Sequence, residues 1–182
     1  MQPGANATFM DPRMVITHFH LRPGDTVADF GAGTGHYLKA LSTTVSSKGT
    51  VYACEIQKSL VERLTTRIRD ERLPNVHAVW CDFEAPGGTK LRDGLLDAGL
   101  LINTLFQIEN KQAALTEMAR VIRKGGKLIV VEWSDSWGGI GPHPSQVVKA
   151  DAAKALMQSF GFVFESEFPA ADHHYGLSFK RQ

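Results

Sequence analysis

Three glycines at alternate positions, Gly31, Gly33 and Gly35, follow directly on an apolar run in "VADFGAGTGHYLKAL" (27–41). A strand that turns through glycines into a helix brings backbone N–H groups and a helix N-terminus up to a ligand. Two ligand classes sit over such turns, the nicotinamide dinucleotides and S-adenosyl-L-methionine (SAM). The dinucleotide fingerprint G-x-G-x-x-G keeps a third glycine for close helix–strand packing. Here that position holds the bulky His36. Asp29, just ahead of the turn, adds a carboxylate that suits a sulfonium and an ammonium better than a pyrophosphate. The turn therefore favours SAM, whose demethylated product is S-adenosyl-L-homocysteine (SAH).

The neighbouring segments add to that reading. Glu55 closes "TVYACE" and can accept from both ribose hydroxyls, while it would repel a 2′-phosphate. In "CDFE", Asp82 is an acceptor for the adenine amine, or alternatively a cap, and Phe83 an apolar face for the ring. Four histidines could serve as a general base towards a nucleophile that arrives protonated. His36 follows the glycine turn and should face the cleft, and His143 lies in a Gly/Pro-rich loop on the same side. His173 and His174 read as hairpin residues, without a third ligand at metal-site spacing. Phe106, Trp133 and Trp137 could wall an acceptor, and Gln107 and Glu109 could contact it; core packing explains Trp133 equally well.

These residues need a scaffold that places strand ends together. "TVADFG" (26–31), "TVYACE" (50–55), "NVHAVWCD" (75–82), "LDAGLLIN" (96–103) and "GKLIVVEW" (126–133) read as five strands. Between them, Leu60, Leu64 and Ile68 fall on one helical face, as do Leu115, Met118 and Ile122. Strands alternating with such helices predict βαβ units and a parallel sheet covered on both faces. "DPRMVITHFH" (11–20) reads as a leading helix. "SQVVKADAAKALMQSF" reads as a late one, with Ser145 as N-cap and Gly161 as its stop. "FVFESEFP" and "HYGLSFKR", joined by "AADH", predict an antiparallel hairpin.

Length and composition set the outer limits. The chain has 182 residues, 43% of them hydrophobic, and a formal net charge of +1. That fits one domain and gives no electrostatic reason to expect a nucleic-acid or anionic-membrane partner. No apolar run reaches membrane-spanning length, and no basic-then-apolar leader opens the chain, so the expected location is cytoplasmic. Cys54 and Cys81 match no metal-ligand spacing and read as buried thiols.

Over roughly residues 9 to 180 these motifs resemble class I SAM-dependent methyltransferases, in the small ubiquinone/menaquinone-biosynthesis-like branch (type 11/25/31-like). "VADFGAGTG" is similar to the family's first motif and "VYACEI" to its acidic strand-two motif. "LLINTLFQIENKQAALTEMARVIRKGGKLIVVEW" resembles its fourth strand, helix and fifth strand. "GIGPHPSQV" resembles its Gly-Pro loop, and "HHYGLSFKR" its last strand.

The resemblance implies an α/β, doubly wound, Rossmann-like seven-stranded sheet, mostly parallel with an antiparallel last strand, over a single domain 1–182. It places Asp29, Gly31, Gly33 and Gly35 around the methionine part of SAM. Glu55 would hold the ribose, with Ile56, Asp82 and Phe83 about the adenine and Asn103 beneath the sulfonium. The implied reaction is in-line displacement of the methyl group by an unidentified small-molecule, lipid-like or protein acceptor. The alternatives are RNA methylation and a non-catalytic SAM-binding regulator. The short segment ahead of the first strand suggests an open site, or one covered by a lid around Phe9 and Met10. The oligomeric state is left open.

Overall fold

The structure is a computed structural model and describes residues 10–182, so Phe9 of the expected lid lies outside the described residues. Seven strands form one sheet: β1 (Thr26–Phe30), β2 (Thr50–Glu55), β3 (Val76–Trp80), β4 (Leu96–Ile102), β5 (Ile122–Trp133), β6 (Phe162–Ala171) and β7 (His174–Arg181). Their order is β3-β2-β1-β4-β5-β7-β6. The first five strands run parallel, and β7 pairs antiparallel with both β5 and β6. This is the expected doubly wound sheet with an antiparallel last strand.

The apolar strand runs have a simple cause, since successive side chains serve opposite faces. In β4 and β5, Leu101, Leu128 and Val130 enter one core, while Leu100, Ile129 and Val131 enter the other. On the second face lie α1 (Pro12–Val15), its 3-10 extension Ile16–Phe19, α2 (Leu38–Val45) and α3 (Lys58–Asp70). They bring in Phe19, Leu38, Leu41 and Leu64. On the first face, α4 (Lys111–Val121) and α5 (Ala150–Ser159) bring in Leu115, Met118 and Met157.

Three local expectations are corrected. The leading helix is one α-turn followed by a 3-10 turn, broken where His20 takes a left-handed φ of 50°. Ile122 is the first residue of β5, opposite Leu96, and not part of α4; the ladder resumes only at Lys127, after residues 123–126 bulge out. Ser145 caps nothing helical: α5 starts at Ala150 behind Lys149, and residues 144–146 form a separate 3-10 turn. No helix connects β3 to β4. That 15-residue link contains Pro86-Gly87-Gly88, which cannot sustain a helix.

The link is tied down by one buried carboxylate. Glu117, on α4, accepts from the N–H groups of Gly87 and Thr89, the Thr89 hydroxyl and the Arg120 guanidinium. These donors outweigh its burial and hold its pKa down at about 2. Its contribution to stability is therefore present above its ordinary value of 4.5 and is lost as pH falls through about 2. Glu117→Ala strands several buried donors, and the expected cost is about 3 kcal/mol. A melt at neutral pH should show a Tm lowered by roughly 6–12 °C. An unchanged Tm would mean that the link is held by other contacts.

Candidate cofactor site

In this order the strands are added outward in one direction up to β3 and in the other from β4, and the carboxyl ends of β1 and β4 open a crevice at that switch. A cleft of about 260 Å³ lies at that point, lined by Gly31, Gly33, Glu55, Ile56, Gln57, Leu60, Phe83, Glu84, Thr104, Gln107 and Ile108. The structure thus brings five of the expected cofactor residues together: Gly31, Gly33, Glu55, Ile56 and Phe83.

The glycine turn leaves β1 with the N–H groups of Gly31 and Ala32 both donating to the Cys54 carbonyl, at 2.9 and 3.0 Å. Gly31 has φ +80°, and a Cβ there would stand 2.6 Å from the Thr104 methyl. The two walls of the crevice therefore touch at this glycine. Gly33, at φ +54°, faces open space, whereas Gly35 is buried against Leu38 and Leu64.

Glu55 is only 5% exposed at the end of β2. Its Oε2 accepts from the Gly33 N–H at 3.0 Å, and its Oε1 accepts from the N–H groups of Ile56 and Gln57 at 2.9 Å each. One carboxylate thus couples the glycine turn to the β2 loop. Oε2 keeps acceptor capacity for a ligand hydroxyl. Ile56 is 55% exposed beside it, an uncovered apolar side chain at the cleft. Phe83 is buried edge-on to Phe30. Asp82 is exposed, and its Oδ1 accepts from the Glu84 N–H at 2.9 Å. It closes a turn outside the cleft lining, the cap that its sequence context also allowed.

Asp29 is 4% exposed within β1, and no hydrogen-bond donor among the described residues reaches its carboxylate. Burial, reinforced by the negative charge of Glu55, pushes its pKa up to about 7. Asn103 follows β4 in a left-handed conformation (φ 53°), with its N–H on the Val131 carbonyl. Its side-chain Oδ1 is buried without a partner among the described residues. A buried carboxylate without a donor and a buried amide oxygen without one lack the same thing, a positive or N–H-bearing ligand.

Glu132 went unnoticed in the sequence. It is fully buried at the end of β5, where it accepts from the N–H of Trp133 at 2.8 Å and of Phe106 at 3.2 Å. Burial outweighs these bonds and raises its pKa to about 7. It fixes the 3-10 turn Leu105–Gln107 that carries Gln107 into the cleft. A lone carboxylate at the end of "KLIVVE" was its only sequence signal. Leu60 and Thr104 were equally invisible. Leu60 reads as a core-facing helical residue yet lines the cleft, and the hydroxyl of Thr104 bonds the Ile102 carbonyl.

Of the candidate bases and acceptor contacts, Gln107 lines this cleft and the others lie outside its lining. His36 is exposed, 3.4 Å from the Met10 carbonyl, and lines a separate groove of about 480 Å³ with Arg13, Lys39 and Arg67. His143 is an exposed turn cap whose Nδ1 accepts from the Ser145 N–H. Trp133 packs between Trp137 and His174, and Phe106 is half-buried. His173 Nδ1 donates to the Asp135 carboxylate at 2.8 Å, with Trp137 stacked on its ring.

Comparison with known proteins places this arrangement. A family model described as a methyltransferase domain matches residues 28–130. The ubiquinone/menaquinone biosynthesis C-methyltransferase UbiE of Cupriavidus metallidurans is 33% identical over 126 residues, covering 67% of this chain and 49% of that protein. The chain thus spans about half the length of the curated relatives it matches. A SAM-dependent methyltransferase from Aquifex aeolicus superposes with a TM-score of 0.86 at 25% identity, over 93% of this chain and 89% of that one. The geranyl diphosphate C-methyltransferase of Streptomyces coelicolor, solved with SAH, has a TM-score of 0.76 at 13% identity. It covers 94% of this chain and 78% of its own, and shares the fold. This chain belongs to the methyltransferase-domain family, in the class I, SAM-dependent group.

Proposed function

We propose that this chain is a SAM-dependent methyltransferase acting as a single domain in the cytoplasm on a small-molecule, lipid-like or protein acceptor. The observation that carries the reading is the cleft at the β1/β4 switch. There, Glu55 and the Gly33 turn meet beside two buried acceptors, Asp29 and Asn103, that no donor among the described residues reaches. Among the described residues no helix is long and apolar enough to cross a membrane.

Glu55 would take the ribose hydroxyls, Ile56 and Phe83 the adenine, and the Gly31–Gly35 turn with Asp29 the methionine part. Asn103 Oδ1 would face the sulfonium. When bound, SAM supplies an activated methyl group on a sulfur leaving group. The chain's own contribution is then alignment, for which positioning of the reactants can provide roughly 7–11 kcal/mol. Glu132 serves this by fixing the turn that carries Gln107. Where an acceptor arrives protonated a base is needed, and none of His36, His143 and His173 lines the cleft.

Calorimetric titration with SAH, with NAD as control, tests the reading. Saturable SAH binding and no NAD binding are expected. NAD binding, or none of either ligand, would overturn it.

A further inference from the structure

A second concave surface has no part in the scheme above. The groove of about 480 Å³ beside His36 is lined from α1, α2 and α3 and shares no lining residue with the cofactor cleft. Its size is that of a small-molecule site, for which roughly 300–1,000 Å³ is usual.

Two kinds of surface meet in it. Pro12, Ile16 and Ala40 are apolar, and the nearby Thr43 hydroxyl is already spent on the Lys39 carbonyl of its own helix, at 2.9 Å. Against these stand three cations, Arg13, Lys39 and Arg67, with one lining carboxylate, Asp11. Asp11 is taken up by Arg13, whose backbone N–H and Nε donate to Oδ1 and whose Nη2 donates to Oδ2 at 2.8 Å. Arg67 is held from outside the groove. Its Nε donates to Glu71 at 2.6 Å, and its Nη1 to the Thr34 carbonyl of the glycine turn at 3.0 Å. Lys39 is different: its ammonium has no partner among the described residues.

The groove therefore offers one uncompensated positive charge and two guanidinium groups with an unused nitrogen each, Nη1 of Arg13 and Nη2 of Arg67, beside apolar surface. Both guanidinium groups are anchored by carboxylates, so their remaining donors are placed before any ligand arrives. A small inorganic anion would answer the charges and leave the apolar surface wet. A neutral apolar molecule would do the reverse. A ligand that answers both has an anionic head on an apolar body.

We propose that this groove is a second small-molecule site, for an anionic amphiphile with a phosphate or carboxylate head and a short apolar body. The head takes the Lys39 ammonium and the remaining donors of Arg13 and Arg67, and the body lies along Ile16 and Ala40. The site stands apart from the cofactor reading and does not depend on it.

Calorimetry on the full chain tests it, with octyl phosphate below its micelle-forming concentration as the probe. Octyltrimethylammonium and inorganic phosphate are the controls, and each titration is run with and without SAH. Octyl phosphate should bind one to one, about tenfold or more tightly than either control, and should still bind when SAH is present. Lys39→Gln removes the charge from an exposed side chain. It should weaken octyl phosphate about tenfold and leave the melting temperature and SAH affinity unchanged. Lys39→Glu should abolish binding. Equal affinity for octyltrimethylammonium or for inorganic phosphate would overturn the proposal, because head and body would then not act together. Undiminished binding to both variants, or loss of binding on adding SAH, would place the probe elsewhere and overturn it too. Binding to acidic phospholipid vesicles without binding to octyl phosphate would overturn it in favour of a membrane surface. Binding seen only in a chain lacking residues 1–9 would overturn it by making that segment the occupant. A chain that binds octyl phosphate and no SAH would overturn the cofactor reading and leave this one standing.

Discussion

Glu55→Ala is expected to weaken SAH binding about a hundredfold, the largest loss of affinity among single substitutions in the cleft. The size follows from the number of groups one carboxylate serves. Glu55 accepts three backbone N–H groups, from Gly33, Ile56 and Gln57, so it sets the distance between the glycine turn and the β2 loop. Alanine removes the proposed ribose acceptor and frees both walls. Glu55→Gln separates the two contributions. It keeps one acceptor oxygen but turns an NH2 towards one set of backbone donors, so it should fall between alanine and wild type. Calorimetry with SAH, beside a thermal melt of each variant, is the measurement. Wild-type affinity in Glu55→Ala would show that the cofactor binds away from this cleft.

Asp29→Asn is expected to do two opposite things. Without ligand, the wild-type carboxyl has a pKa of about 7 against an ordinary 3.8, because burial and Glu55 both disfavour its charge. A folded-state pKa raised in this way contributes stability that is fully present below 3.8 and is lost as pH rises through about 7. Asparagine is neutral throughout. The variant without ligand should therefore be more stable than wild type at pH 8, by roughly 2–4 kcal/mol, and indistinguishable from it near pH 4. Its SAH affinity at pH 8 should nonetheless fall about thirtyfold, since the ligand's α-ammonium loses its counter-charge. Wild-type affinity should rise with pH through about 7, as the carboxylate ionises ahead of binding. Melts at several pH values and titrations across the same range test both halves. A variant that is less stable at pH 8 would mean that Asp29 has a partner in the protein.

These expectations differ in how far the sequence foretold them. Glu55 and the glycines were legible because a strand end followed by a glycine turn is a local pattern, and local patterns fixed β2 to the residue. Asp29 was legible as a charge ahead of the turn, but its want of a donor depends on what packs around it. Glu132 was hidden likewise, since its partners Leu105 and Phe106 lie some 26 residues away and meet it only across the sheet.

Element boundaries failed where tertiary pairing overrode local period. Ile122 continues the helical spacing of Leu115 and Met118, yet pairing with Leu96 draws it into β5. Between β3 and β4 the chain forms no helix, and a buried carboxylate on a distant helix holds the link.

The position of β7 bears on how the chain is made. The last strand of the sheet in sequence sits inside it, between β5 and β6. During synthesis β5 therefore presents a bare hydrogen-bonding edge while some forty further residues emerge, and β6 has no neighbour at all until residues 174–181 have left the ribosome. Such an edge invites pairing with other chains. A nascent chain of this design is most vulnerable just before residues 174–181 emerge, when nearly all of its core is formed and its sheet is still split in two.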